Sequence, residues 1–578
     1  MTNQNVIYVN NRPIAIEGES NILEVIRKAG IKIPTLCYNP SLRSYGACRL
    51  CIVEVEGRGI LTSCTTAPEP GMKVHTHTPE IKKIRKITAE LLLANHKVEC
   101  PTCDQMGKCK LEDIAHELGV DDVRYKPLEK CSPVNDTSYA IVVDRDKCVL
   151  CGQCVRFCDE IHGVGAIDFS YRGSNTVVST AFNKDFTETE CVNCGQCAAV
   201  CPVGAITVKK HINPVNKYLE DPSKTVVIQV APAVRAGIGE EFGLKPSEDV
   251  TGKMVTALKM LGFDYVYDTT FTADLTIAEE ATEFLTRVKN NGVIPQFTSC
   301  CPAWVKFLEQ YYPELIPNLS SCKSPQQMFS AVVREILPEK LNVKKEDLVF
   351  ISLMPCTAKK FEIRRPEFEY EKGKRDIDEV ITTQEFARMI KAAGIDFANL
   401  KPEEFDMPYG EKTGAGVIFG VTGGVTEAAL RMAAEELTGQ KLEGKELEFE
   451  AVRGSEGLKE ANLKVGGVDL NIAIVHGLAN AHEVCKEIID GKSKYHFIEV
   501  MTCPGGCING GGQPIDFNQP EKIARRTDGL YTADKNMPLR KSQDNPAMKE
   551  LYKDHLGGKP NSEKAEELLH TTYYKRDY

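Results

Sequence analysis

Cys148-Val-Leu-Cys151-Gly-Gln-Cys154-Val-Arg-Phe-Cys158 and Cys191-Val-Asn-Cys194-Gly-Gln-Cys197-Ala-Ala-Val-Cys201-Pro202 are two copies of one pattern, C-x2-C-x2-C-x3-C. A repeat at this distance marks a duplicated module. Eight thiols at two identical spacings suit metal ligation, not core filling. Zinc is the competing reading, but zinc sites use two separated C-x-x-C pairs, whereas these runs are triplets closed by a fourth cysteine. In such runs the fourth cysteine ligates the other iron-sulfur cluster. One 4Fe-4S cluster is therefore assigned to Cys148, Cys151, Cys154 and Cys201, and a second to Cys191, Cys194, Cys197 and Cys158. Asp159 stands where a proline is usual, which weakens the turn but removes no ligand.

The rest of the chain agrees with a reducing compartment. Its 23 cysteines are odd in number and gathered in C-x-x-C pairs, as metal ligands are and disulfide frameworks are not. The start, MTNQNVIYVNNRPIAIEGES, has neither a basic nor an apolar signal region. No apolar run approaches the roughly 20 residues of a membrane span. These readings point to the cytoplasm. At 578 residues several domains are expected, and 42% hydrophobic with 26% charged residues is a globular balance. A net charge of -10 argues against nucleic acid, and the basic run Lys82, Lys83, Arg85, Lys86 reads as a solvated helix face.

Upstream of the repeat, residues 1–80 read as a small β-rich domain: a hairpin of Val6–Val9 and Ile14–Ile16 about an Asn-Asn turn, then a helix Ile22–Ala29 capped by Ser20 or Asn21. Cys37-x10-Cys48-x2-Cys51-x12-Cys64 supplies four thiolates there, a variant of plant-type 2Fe-2S spacing, with zinc as the alternative. Residues 81–125 read as helical around a loop carrying His96-x3-Cys100-x2-Cys103-x5-Cys109. Three cysteines leave a four-ligand site one donor short, and imidazole can supply it. Residues 138–210 hold the repeat. From 222 onward the texture becomes α/β, with strand-like Val226–Val230, Leu348–Leu353, Val417–Val421 and Ile472–Val475, helical Glu427–Leu437, and a charged tail of short surface helices after about 530.

Three motifs in that region carry a family resemblance. They are Thr298-Ser-Cys300-Cys301-Pro302, Met354-Pro-Cys356-Thr-Ala-Lys359-Lys-Phe-Glu362 and Met501-Thr-Cys503-Pro-Gly-Gly-Cys507-Ile-Asn-Gly-Gly-Gly512. In order and separation they resemble the signatures of iron-iron hydrogenases, and the likeness spans the whole chain, closest to the large monomeric clostridial type. It implies a multidomain α/β and α+β fold: a β-grasp ferredoxin-like domain over 1–80, a histidine-plus-cysteine 4Fe-4S domain over 81–125, a bacterial double 4Fe-4S ferredoxin domain over 138–210, and a two-lobed catalytic domain over 222–578. It makes the first cluster 2Fe-2S and His96 a ligand of a third accessory 4Fe-4S cluster.

By the same resemblance, Cys301, Cys356, Cys503 and Cys507 hold an H-cluster, with Cys507 joining its cubane to a di-iron unit that carries CO, CN and a bridging dithiolate amine. Cofactor chemistry of this kind needs the fold to orient and insulate it. Lys359 then donates to a cyanide, Met354 and Met501 pack about the di-iron unit, and Ala231-Pro232-Ala233 lies beside it, with Ala233 where many relatives have serine. Glycines 505, 506 and 510–512 suit close approach to a bulky cluster. These assignments leave Cys131, Cys300, Cys322 and Cys485. Cys300, adjacent to a ligand, becomes a thiol relay. Glu280, Glu283 and Arg287 share one predicted helix face and, with Ser320, resemble the family's proton path. The bland alternative is an exposed Glu283–Arg287 ion pair.

The implied reaction is reversible reduction of protons to molecular hydrogen by a monomer, with ferredoxin or flavodoxin as electron partner and dedicated maturation proteins. A hydrogen sensor, a cluster-assembly protein and a subunit of an NADH-linked assembly are the alternatives. The chain has no G-x-G-x-x-G dinucleotide fingerprint.

Overall fold

The computed structural model describes residues 5–126, 132–245, 248–454, 456–465, 467–515, 517 and 520–577, so Cys131 lies outside the described residues. The first hairpin pairs Val6–Val9 with Arg12–Ala15. Its two turn residues, Asn10 and Asn11, both take positive φ (49° and 67°), which asparagine tolerates and a two-residue hairpin turn requires. Three more strands complete a mixed five-stranded sheet, with Lys73–His75 parallel to the first strand. The helix Ile22–Lys28 is capped by Asn21, whose side chain accepts from Glu24 N at 3.1 Å, and buries Ile22, Leu23, Val25 and Ile26 in that sheet's core.

Helix Pro79–Ala94 follows, and it corrects one expectation. Lys82 and Lys83 are exposed, but Arg85 is buried and donates to the Ile52 carbonyl at 2.6 Å. The basic run therefore includes a residue that pins this helix to the first sheet.

In the repeat, both cysteine loops adopt the same backbone. Leu150 and Gly152 take left-handed φ (52° and 72°), as do Asn193 and Gly195 (60° and 69°). Each loop then enters a short helix, Gln153–Arg156 or Gln196–Ala199. Leucine rarely adopts that conformation, so the turn is imposed by the thiols it must aim. Strands Ile141–Val143 and Ile206–Val208 close the module antiparallel. At Asp159 the chain runs on as a π-helical turn, Phe157–Ile161.

Beyond residue 222 there are two four-stranded sheets. One is all parallel, in the order Tyr265–Asp268, Thr225–Val230, Leu348–Met354, Glu379–Thr382. The other runs Gln296–Phe297, Phe497–Met501, Val468–His476, Leu458–Val465, parallel except for its last hairpin. The expected strand Val417–Val421 is instead helix Gly414–Ile418, started by Thr413, whose side chain accepts from Gly416 N at 3.3 Å. A short, wholly buried apolar run looks the same in strand and helix, because no polar face reveals its period.

The tail also departs from a surface wrapping. Leu551, Leu556 and Leu569 lie in the core of the first lobe. Arg526, fully buried, pairs with Glu240 at 2.8 Å and donates to the Ile508 carbonyl at 3.0 Å. Asp534 meets Arg431 at 2.8 Å, both side chains inaccessible to solvent.

Candidate active site

In parallel sheets, functional loops gather beyond the carboxyl ends of the strands. Four such ends face one another across the two lobes. Val230 leads into Ala231-Pro232-Ala233, and Met354 ends its strand before Pro355-Cys356. Phe297 precedes Thr298 to Cys301, and Met501 precedes Thr502-Cys503. A cavity lies between them. Cys301, Cys356, Cys503 and Cys507 all line it, as do Cys300, Lys359, Met354, Met501, Ala231, Pro232 and Ala233.

The donor set fits a cluster and little else. Burial pushes the Cys356 thiol up to about 12 and drives Cys503 and Cys507 further up. Four thiolates can share such a space only when metal charge offsets their desolvation. Lys359 is the one cation on the cavity wall among the described residues. Burial works against its charge, yet Glu362 at 2.9 Å, with Cys356 near, more than offsets this and raises its pKa. Lys359 also donates to Ser324 Oγ at 2.8 Å and the Cys300 carbonyl at 3.3 Å. Sequence reasoning quoted Glu362 without giving it a role, and it missed Ser324. It also missed Phe419 and Gly420, which line the cavity from the turn just after helix Gly414–Ile418 and carry no metal-binding or acid-base group to betray them.

The glycines divide. A side chain on Gly506 (φ +96°) would meet Thr422 N at 2.7 Å, and Gly506 and Gly510 line the cavity. Gly511 faces the other way, where a Cβ would lie 2.4 Å from the Cys194 carbonyl. Its smallness serves the docking of the cysteine-repeat module.

That docking is close. Gln196 Nε2 donates to the Asn509 carbonyl at 2.7 Å, Thr357 Oγ1 to the Asn193 carbonyl at 2.8 Å, and Lys306 Nζ to the Cys191 carbonyl at 2.7 Å. Cys158, Cys191, Cys194 and Cys197 surround one small cavity, and Cys148, Cys151, Cys154 and Cys201 another, so the fourth cysteine of each run does sit with the other run's triplet.

Farther out, Cys51 and Cys64 thiols are 3.3 Å apart, and Cys37 and Cys48 stand close enough for the Cys48 amide to donate to Cys37 Sγ at 3.5 Å. His96 Nδ1 is 2.8 Å from the Lys147 carbonyl. Donation there selects the tautomer whose lone pair is on Nε2, the form a metal-bound histidine takes. Burial raises the pKa of the Cys109 thiol, and the neighbouring Cys103 adds to the effect.

Helix Thr270–Lys289, whose Ala273 lines the cavity, carries Glu280 and Glu283 farther along. Ser320 Oγ donates to Glu283 Oε2 at 2.7 Å, and Arg287 Nη2 donates to Glu283 Oε1 at 2.6 Å and to the Leu319 carbonyl at 2.7 Å. Arg287 keeps 16% of its side chain exposed, so this file reaches water. Glu280 is fully buried near Glu283, Ser320 and Cys300, and among the described residues neither of its carboxyl oxygens meets a partner at hydrogen-bond geometry. Burial, with Glu283 nearby, raises its pKa to about 8. Cys322 stands beside the file, its thiol 3.9 Å from Glu283 Oε2, while Cys485 is buried among apolar residues.

Residues 224–511 match the family described as the C-terminal domain of the iron-only hydrogenase large subunit, and residues 520–576 that of the iron hydrogenase small subunit. Residues 4–79 match a 2Fe-2S iron-sulfur cluster binding domain, 85–124 the iron-sulfur binding region of NADH-ubiquinone oxidoreductase-G, and 147–211 a 4Fe-4S dicluster domain. Iron hydrogenase 1 of Clostridium pasteurianum is 41% identical, over 98% of this chain and all of that one. The chain belongs to the iron-only hydrogenases. The NADP-reducing hydrogenase subunit HndD of Solidesulfovibrio fructosivorans is 45% identical over 99% of both chains. An apo [FeFe]-hydrogenase of Chlamydomonas reinhardtii superposes with a TM-score of 0.57 at 40% identity, covering 64% of this chain and 99% of its own. This hydrogenase is thus a multidomain α/β protein with 2Fe-2S and 4Fe-4S domains ahead of a catalytic domain, and its reaction interconverts protons and electrons with molecular hydrogen. No helix among the described residues is long and apolar enough to cross a membrane.

Proposed function

We propose that this hydrogenase works in the cytoplasm as a monomer, reducing protons reversibly at an H-cluster held by Cys301, Cys356, Cys503 and Cys507, with electrons exchanged with ferredoxin through one 2Fe-2S and three accessory 4Fe-4S clusters. The observation that carries the reading is the meeting of those four thiols, drawn from three separate strand ends, in a single buried cavity with the cysteine-repeat module docked directly behind it. The cluster supplies the metal that binds and splits hydrogen. The side chains do the rest. Lys359 holds a positive charge at the cavity wall, where it would stabilise an anionic cyanide of the bound cluster. Met354, Met501, Pro232 and Ala233 keep water out. Cys300, Glu280, Ser320, Glu283 and Arg287 form the file along which protons move between cavity and solvent.

Electrons follow the opposite wall. The cluster of Cys158, Cys191, Cys194 and Cys197 lies nearest the cavity, backed by that of Cys148, Cys151, Cys154 and Cys201. The His96, Cys100, Cys103, Cys109 site and the 2Fe-2S site of Cys37, Cys48, Cys51 and Cys64 lie toward the protein partner. The domain limits 1–80, 81–125, 138–210 and 222–578 follow these sites. Infrared spectra of protein loaded by its maturation proteins are the test: CO and CN bands are expected, and their absence from protein with full iron content would overturn the assignment.

The 45% identity to a subunit named as NADP-reducing favours a second reading, a catalytic chain within a nucleotide-linked assembly. Without a dinucleotide fingerprint such a chain takes nucleotide electrons only through a partner chain, so hydrogen evolution from NADPH that appears when the chain is assayed with its co-purifying partners favours the second reading, and evolution from reduced ferredoxin alone, with none from NADPH in either preparation, favours the first.

Replacing His96 by alanine is expected to leave hydrogen evolution from a small artificial reductant within about twofold, because His96 stands in the wiring and not in the cavity. One accessory cluster should change its electron paramagnetic resonance signal, and with a thiolate in place of the imidazole (His96→Cys) its potential should fall, since the added negative charge disfavours reduction. Unchanged cluster signals in both variants would remove His96 from the ligands.

A further inference from the structure

His162 is 1% exposed, and neither ring nitrogen has a hydrogen-bond partner among the described residues. Polar groups this deep are seldom left unpaired. The ring stands edge-on to Phe157, with centroids 5.4 Å apart, and lines the small cavity that Cys158, Cys191, Cys194 and Cys197 surround. Among the described residues, the other side chains of that wall, the cysteines apart, are apolar or already engaged. Ile141, Val164 and Phe186 are apolar, and the Asn193 amide is turned away, accepting from Ser138 Oγ and donating to the Cys191 carbonyl, each at 3.4 Å. An imidazole carries at least one N–H in either protonation state, and the acceptors this cavity leaves for it are the sulfurs.

We propose that His162 donates its N–H to a sulfur of the 4Fe-4S cluster held by Cys158, Cys191, Cys194 and Cys197, and so raises the potential of the cluster from which the catalytic cavity takes its electrons. An N–H aimed at cluster sulfur stabilises the extra electron of the reduced state, which is one of the levers that set such potentials. The role is one of positioning and tuning; no proton is transferred. It rests on the ligand assignment made above for these four cysteines. It also gives a reason for a histidine where the surrounding packing, against Phe157 and the π-helical turn, would accept a leucine or phenylalanine.

The test uses the full-length matured enzyme. In His162→Leu, redox titration followed by electron paramagnetic resonance should show one 4Fe-4S midpoint lowered by about 59 mV, the tenfold change in a one-electron equilibrium, with the other clusters unmoved. His162→Gln, whose side-chain amide is a donor of similar reach, should restore most of that shift. In deuterium oxide, pulsed resonance on the reduced unaltered enzyme should detect an exchangeable deuteron coupled to that cluster, and the coupling should vanish in His162→Leu. An unchanged midpoint with cluster content intact overturns the proposal. So does a nitrogen coupling of the size direct iron ligation gives. If His162→Leu fails to hold its clusters, the deuteron coupling in the unaltered enzyme decides alone, and its absence counts against the proposal. Failure of the underlying assignment looks different: Cys197→Ala would then keep every 4Fe-4S signal, whatever His162 does.

Discussion

Cys300→Ala is expected to keep the full iron content and the CO and CN infrared bands while losing roughly 10²–10⁴-fold in hydrogen turnover, the range that a positioned proton donor contributes. Cys301→Ala is expected to lose the H-cluster. The two residues share a side chain and are adjacent, but their surroundings separate them. Cys301 stands at the N-cap of helix Pro302–Tyr311; its thiol is 3.3 Å from Thr502 Oγ1, and it lies near Cys356 and Cys507. Cys300 is buried with Glu280 and Cys301 as the charges that bear most on it, and burial keeps its thiol protonated. A methyl group cannot carry a proton, so the loss appears in turnover and not in assembly. Cys300→Asp should recover part of the rate, because a carboxyl of similar reach can relay. Hydrogen evolution measured beside infrared spectra and iron content on all three variants is the check. Near-normal turnover in Cys300→Ala sinks the relay, and cluster loss in that variant means relay and ligand have been exchanged.

Legibility from sequence was uneven, for reasons that lie in the kind of signal each residue carries. The cysteine runs were readable because ligation demands one residue type at fixed spacing, and spacing survives without any knowledge of the fold. The strands Thr225–Val230 and Leu348–Met354 were readable because they are largely apolar runs followed closely by a proline, Pro232 and Pro355, as buried parallel strands can be. Gly414–Ile418 has the same appearance and is a helix, since a segment with no exposed face has no polar residues to declare its period. The tail was misjudged because its charges are partnered inside: Arg526 with Glu240 and Asp534 with Arg431 are long-range pairs no local pattern announces. Residues 520–576 correspond to what relatives describe as a small subunit, which accounts for a surface-like composition on a segment that packs as an interface. Within the site, Ser324 and Phe419 were invisible for the same reason. They act through position alone, and position comes from the meeting of two lobes.

Glu280→Gln separates proton relay from folding in one substitution, because the two readouts should move in opposite directions. The buried carboxyl ionises near 8 in the folded protein, against 4.5 for an ordinary glutamate. Between those values the folded state holds one proton that the unfolded state has released, so stability declines as pH rises through the window from 4.5 to 8. Glutamine has nearly the same shape and never ionises, so the variant should escape this decline and become more stable than the parent by a growing margin as pH increases from 5 to about 8. Its turnover should nevertheless fall by roughly 10²–10⁴-fold at every pH, since an amide neither gives up nor recovers a proton between Cys300 and Ser320 on the catalytic timescale. In the parent, the same ionisation makes Glu280 a loaded donor at neutral pH, and hydrogen evolution should drop above about 8 as that proton is lost. Denaturation midpoints and hydrogen evolution across this pH range measure both effects on the same samples. A variant that is less active and also less stable at pH 8 would make Glu280 a structural carboxyl, and one with unchanged turnover would route the protons elsewhere.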